Sequence, residues 1–120
     1  MRYLPASLLS LALVAAFATG AAAHAYPDHS QPADGAMLAT PPTAVKLWFS
    51  RAIEPSFSRV RVVDAQGKQV DDGNATVSDH EPKLIQLGLT ALPSGKYRVI
   101  WRIVALDGHK AKGEFFFTVK

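Results

Sequence analysis

Beyond residue 43 the chain is built from short segments in which apolar and polar residues alternate. In the longest of them, residues 96–104, every second side chain is large and apolar: Tyr97, Val99, Trp101 and Ile103. Alternation with a period of two is typical of a β-strand that buries one face. The same pattern predicts strands near residues 45–49, 59–62, 84–89 and 114–119. No stretch longer than ten residues has the 3.6-residue period of an amphipathic helix.

Turn-forming residues separate these segments. Pro, Gly, Asn or Asp recurs every eight to fifteen residues, for example at 32–35, 64–67 and 93–95. Short strands joined at this spacing predict an all-β fold, an antiparallel β-sandwich. Because no repeat or long linker divides the chain, we expect one domain. Six aromatic residues at strand positions are expected in its core: Trp48, Phe49, Tyr97, Trp101, Phe115 and Phe117.

The first 23 residues have the three parts of a secretory signal peptide. Arg2 gives a positive start, residues 8–17 form an apolar segment, and residues 21–23 are three alanines suited to a signal peptidase. The apolar segment is too short to cross a bilayer as a helix. We expect cleavage after Ala23, which makes residues 24–120 a single exported domain; cleavage after Ala25 is the alternative.

Composition narrows the chemistry of this domain. The chain has no cysteine, so disulfides contribute nothing and a metal site needs nitrogen and oxygen ligands. The formal net charge of +3 falls to +2 when Arg2 leaves with the signal, and the lysines and arginines are scattered. Scattered charge predicts a solvated face rather than a surface for nucleic acid or membrane. The exported domain contains no second apolar segment, so we expect no part of it to insert into a membrane.

The candidates for metal chemistry are the histidines. His109 ends the triplet Asp107-Gly108-His109, which follows the clearest predicted strand. On an extended chain, residues two apart face the same way, so the carboxylate and the imidazole are expected to converge, and Gly108 allows the backbone to bend. His29 and His80 lie in polar, turn-rich segments, and we expect both to be exposed to solvent.

His24 adds to this pair if it begins the mature protein. A terminal histidine offers its α-amino nitrogen and a ring nitrogen, which chelate one metal together. With His109 and Asp107 the donors are three nitrogens and one oxygen, a set that suits tetragonal Cu(II) and is also open to Zn(II). A second kind of terminal Cu(II) site uses backbone amides and needs a histidine at position three of the mature chain. Cleavage after Ala23 puts Tyr26 at that position, and cleavage after Ala25 puts Asp28 there, so this kind of site is not expected.

From residue 24 onward the chain resembles the copper-resistance protein C family (CopC, with its YobA-like members). The resemblance rests on the start at His24, on the segments 30–35, 47–50 and 95–102, on the triplet 107–109, and on the final strand 113–119. It implies a Greek-key β-barrel or sandwich, cupredoxin-like or immunoglobulin-like. It also implies a periplasmic copper carrier in which His24, Asp107 and His109 bind one Cu(II), and a membrane partner of the CopD type.

Two departures from the family pattern matter. Residues 65–83 contain no methionine, so we expect no methionine-rich Cu(I) site there. Some members place a glutamate directly after the Phe-Ser pair, where this chain has Arg51, with Glu54 three residues on. We do not transfer the role of that glutamate. Arg51, if near the site, is expected to contact Asp107 or nothing.

The sequence therefore predicts a copper-binding carrier or buffer, not an enzyme. Two alternatives stay open. A metal-free, immunoglobulin-like interaction module is favoured if the mature chain begins at Tyr26, because that start removes the chelating terminus. A copper oxygenase that cleaves polysaccharides also uses a terminal histidine, but this short chain lacks long loops to build a flat substrate face.

Overall fold

The computed structural model describes residues 27–120, so the predicted signal segment and His24 lie outside the described part. Segments with one apolar face form most of the eight strands of this region, which also contains one short 3₁₀ helix at Pro55–Phe57. The strands are β1 (His29–Gln31), β2 (Met37–Leu38), β3 (Ala44–Trp48), β4 (Arg59–Val63), β5 (Thr76–Ser78), β6 (Glu81–Gly88), β7 (Gly95–Val104) and β8 (Lys110–Val119).

The strands form two four-stranded sheets, in the orders β1-β3-β6-β5 and β2-β8-β7-β4. All neighbours are antiparallel except β2 and β8, which run parallel. β7 and β8 pair along their full ten residues, from Gly95 opposite Val119 to Val104 opposite Lys110. The all-β, antiparallel sandwich predicted from the alternation is confirmed.

Alternation along each strand fills the space between the sheets. Tyr97, Val99, Trp101 and Ile103 of β7 are buried, and Phe115, Phe117 and Val119 of β8 lie beside them on the same inner face. Val45, Leu47 and Phe49 contribute from the other sheet. These large side chains leave water together, and their apolar area is the main stabilising contribution in a chain without disulfides.

Trp48 is the exception among the six aromatic residues expected in the core. It lies on the outer face of β3, where its ring stacks on His29 with centroids 4.1 Å apart and an interplanar angle of 13°. The prediction that Trp48 is buried in the core is wrong, because the strand period places it opposite in direction to Leu47 and Phe49.

The shorter strands were not predicted. β1, β2 and β5 have two or three residues each, too few to show a period. β8 begins at Lys110, four residues before the predicted segment, because its first residues are mostly polar and pair with β7 through the backbone. Within residues 27–120, no helix has the length and apolar character needed to cross a membrane.

Candidate metal centre

The triplet Asp107-Gly108-His109 forms the tight turn between β7 and β8. The Ala105 N–H donates to the His109 carbonyl at 2.8 Å, and the Gly108 N–H donates to the Ala105 carbonyl at 2.9 Å. Gly108 has a φ of +88°, in the left-handed region that glycine adopts without strain. The longest hairpin of the fold therefore holds the two candidate ligands in a defined turn.

Asp107 and His109 meet, as predicted, but through the turn rather than through an extended backbone. Asp107 Oδ1 accepts the His109 backbone N–H at 3.1 Å and lies 2.9 Å from the ring Nδ1. Because a carboxylate only accepts, this contact requires the proton on Nδ1, which leaves the lone pair of the neutral ring on Nε2. The carboxylate thus orients the ring so that Nε2 is the nitrogen whose lone pair can bind a metal ion.

Arg51 occupies the other carboxylate oxygen. Its Nη1 donates to Asp107 Oδ2 in a close ion pair, so of the two outcomes expected for Arg51, contact with Asp107 or no contact, the structure shows the contact. Hydrogen bonds from the His109 backbone and ring, with a smaller contribution from Arg51, lower the pKa of Asp107 from 3.8 to about 2. The carboxyl group is therefore an anion throughout the neutral range.

These three side chains are open to solvent. The side chains of Arg51, Asp107 and His109 are 53%, 43% and 67% exposed. Arg51 and His109 also line a groove of about 290 Å³ whose other walls include Phe49, Ile103 and Ala111. An ion from solvent can reach the free nitrogen of His109 without any change in the fold.

Residues 51–54 fasten the turn to the other sheet. The Leu106 N–H donates to the Ala52 carbonyl at 2.9 Å, and the Glu54 N–H donates to the Val104 carbonyl at 2.8 Å. This segment directly follows β3, so Arg51 is positioned beside Asp107 by a strand of the sheet that does not contain β7 and β8. The ion pair therefore spans the two layers of the sandwich.

The first described residues lie at the same end of the molecule. The Asp28 N–H donates to the Trp48 carbonyl at 2.7 Å, and His29 pairs with Trp48 in the sheet. Trp48 is only three residues before Arg51. The chain thus joins the sandwich beside the segment that contacts Asp107.

The remaining histidines are exposed, as predicted. His29 lies on β1 against Trp48, and His80 lies in the turn between β5 and β6, where its backbone N–H donates to Ser78 Oγ at 3.2 Å. Within residues 27–120, no three His, Cys, Asp or Glu side chains come together as a metal site. Asp107 and His109 supply two of the three predicted ligands, and His24 lies outside the described residues.

Sequence reasoning missed Phe49 as a wall of the groove beside His109. Trp101 packs against Phe49, with ring centroids 5.2 Å apart and an interplanar angle of 65°. Phe49 is two residues before Arg51, so the sequence places it near the site. Its role as a wall could not be predicted, because it depends on how the two sheets pack against each other.

Comparison with known proteins agrees with this two-sheet sandwich. The CopC domain family matches residues 28–120. YobA of Escherichia coli K12 is 33% identical over 99 residues, which cover 82% of this chain and 80% of YobA. This chain belongs to the CopC family.

Two solved structures share the fold. The crystal structure of CopC from Methylosinus trichosporium OB3b aligns with a TM-score of 0.75 and 31% identity, over 81% of this chain and 94% of that one. The crystal structure of PcoC, a methionine-rich copper resistance protein from Escherichia coli, aligns with a TM-score of 0.66 and 28% identity, over 82% of this chain and all of PcoC.

Proposed function

We propose that the processed protein binds one Cu(II) ion through His24, Asp107 and His109 and serves in copper carriage, buffering or resistance in the periplasm. The observation that carries the proposal is the exposed Asp107–His109 pair, with His109 Nε2 free, in a chain of the CopC family. Copper is the cargo here, and the role is carriage rather than catalysis. A membrane copper protein of the CopD type is the partner that the family resemblance implies.

The donor chemistry supports copper. His109 offers an imidazole nitrogen, and Asp107 remains an anion because its pKa is held at about 2. A mature terminus at His24 would add an amino nitrogen and a second imidazole nitrogen. Three nitrogens and an anionic oxygen suit the tetragonal preference of Cu(II), whereas Cu(I) prefers the sulfur ligands that this set lacks.

The reach of the chain also supports the proposal. His24 is four positions before Asp28, and an extended chain of four steps spans up to about 14 Å. Asp28 is hydrogen-bonded to Trp48, and the three steps from Trp48 to Arg51 span at most about 11 Å before the contact with Asp107. A terminus at His24 therefore starts from the end of the sandwich that carries Asp107 and His109.

Copper titration of the secreted, processed protein tests the proposal. Mass spectrometry with and without Cu(II) should give a chain that begins at His24 and gains one ion. Paramagnetic resonance should show a type-2 Cu(II) signal with nitrogen ligands. Binding should weaken as acid protonates the amine and the imidazoles, since a protonated nitrogen has no lone pair for the metal.

The matched variants are His109→Ala and His80→Ala, which each remove one exposed imidazole. We expect His109→Ala to weaken Cu(II) binding at least tenfold and His80→Ala to leave it unchanged. A chain that begins at Tyr26, or equal binding by both variants and the wild type, would contradict the proposed site and favour a metal-free interaction module.

A further inference from the structure

Both oxygens of the Asp107 carboxylate are engaged within residues 27–120. Oδ1 accepts the backbone N–H of His109 and faces its ring Nδ1, whereas Oδ2 accepts from Arg51. The oxygen not engaged by His109 is therefore covered by a guanidinium group. A metal ion that coordinates Asp107 through Oδ2 has to displace Arg51 or share the oxygen with it. If the same ion also binds Nε2 of His109, the ring has to turn away from Oδ1, because Nδ1 and Nε2 point to opposite sides of the ring.

Arg51 is well placed to leave. Its side chain is 53% exposed, and the only ion pair that it forms within residues 27–120 is the one with Asp107. A long side chain released from one partner at the surface regains rotamer freedom and hydration. Its departure disturbs no buried contact, since the segment that carries it is fixed separately by backbone hydrogen bonds from Glu54 and Leu106.

The charge of Arg51 also acts on the ion itself. A guanidinium stays protonated at every accessible pH, so its charge cannot be neutralised when copper arrives. Repulsion between a unit charge and a divalent ion about 6 Å apart, in a medium with the dielectric constant of water, weakens binding about tenfold. The same charge on a side chain farther than a Debye length away is largely screened at physiological salt.

We propose that Arg51 sets the copper affinity of the site: it is a built-in counter-cation that Cu(II) must displace from Asp107 Oδ2, so that binding is weakened and release is favoured. This inference rests on the proposed function of the same site. It concerns a residue that stands where some family members carry a glutamate, so the sign of the charge beside the ion is reversed in this chain.

The test is a Cu(II) affinity measurement by competition with a chromophoric chelator, on the processed protein. We expect Arg51→Gln to bind Cu(II) about tenfold more tightly than the wild type. Arg51→Lys keeps the charge and should stay within about threefold of the wild type. Arg61→Gln is the matched control, because it removes the same charge from an exposed position on β4 and should also stay within about threefold.

A second measurement separates displacement from general repulsion. In a chain that carries Asp107→Asn, Arg51 has no carboxylate to be displaced from and only its repulsion of the ion remains, so adding Arg51→Gln should tighten binding by less than it does beside Asp107; an equal gain would show that displacement contributes nothing. Equal affinities of Arg51→Gln and Arg61→Gln, or weaker binding by Arg51→Gln, would overturn the role of Arg51 while leaving the copper site intact. Absence of Cu(II) binding by the wild type and by Arg51→Gln would overturn the proposed function as well.

Discussion

Asp107 shows how a single carboxylate at the surface can be fixed without burial. Two hydrogen bonds from His109 hold one oxygen, and Arg51 holds the other. Each donor stabilises the ionised form, so the group keeps its charge at a pH where an ordinary aspartate is protonated. The consequence for the imidazole is a fixed tautomer, which presents Nε2 to solvent before any ligand is present.

The titration of Asp107 is a direct check at this scale. In the metal-free protein, carboxyl-carbon NMR should give Asp107 a midpoint near pH 2 rather than 3.8. Because the pKa in the folded protein is the lower one, the stabilising contribution of these contacts is complete above pH 3.8 and is lost as the pH falls towards 2.

Replacing His109 separates the effect of its ring Nδ1–H on the pKa of Asp107 from the effect of its backbone N–H. His109→Ala removes the imidazole but keeps the backbone N–H, which is the larger influence on the pKa, so the midpoint should rise only part of the way to 3.8. A midpoint near 3.8 in the wild type would contradict the contacts described here.

The meeting of Asp107 with His109 could be predicted from the sequence because the two residues are close neighbours. Asp107 and His109 are two positions apart, so local geometry sufficed, although a turn and not an extended chain brings them together. Arg51 is 56 positions from Asp107, and their pairing depends on how β3 is placed against the β7–β8 hairpin. The meeting of His24 with this pair stays a prediction.

At the scale of elements, the β7–β8 hairpin combines the core of the second sheet with the turn of the site. Its inward side chains could be predicted because large apolar residues recur at every second position of β7. The close approach of Gly113 to Trp101 could not, since it depends on which residues of the two strands lie opposite each other. Short strands such as β5 also escaped prediction, because three residues show no period.

Gly113→Ala tests this register. A Cβ at position 113 would lie 2.6 Å from Cζ2 of Trp101, whose side chain is fully buried. The indole has no room to move away, so we expect the free energy of unfolding to fall by about 1–3 kcal/mol. Urea denaturation, followed by tryptophan fluorescence, measures the change.

Lys112→Ala is the control on the same strand, since residue 112 is exposed and the change should stay within about 0.5 kcal/mol. Equal stability of Gly113→Ala and the wild type would show that Trp101 is not packed against this position.

At the scale of the whole molecule, the described histidines share one end of the sandwich. His29 begins β1, His80 precedes β6 and His109 precedes β8, and these strand ends adjoin the segment from Phe49 to Ile53. The opposite end holds the turns at residues 64–67 and 90–94. The imidazoles of the described residues are therefore concentrated at the end where the described chain begins.

Copper binding to this end should stabilise the entire fold, because an ion bound only by the folded state shifts the unfolding equilibrium. At a free Cu(II) concentration one hundred times the Kd, the gain is about 2.7 kcal/mol. Thermal unfolding of the processed wild type should shift upward with copper and return when a chelator is added. His109→Ala should show a much smaller shift; an equal shift would indicate that copper acts elsewhere.

β8 has one further consequence, for how copies of the protein meet. β2 pairs only with Thr118 and Val119, so no strand within residues 27–120 covers the outer edge of β8 from Lys110 to Phe115. Open edges invite neighbouring chains to add a strand and aggregate. Here the exposed residues along that stretch include Lys110 and Lys112, and charged side chains on an open edge disfavour the addition of a strand from a second copy.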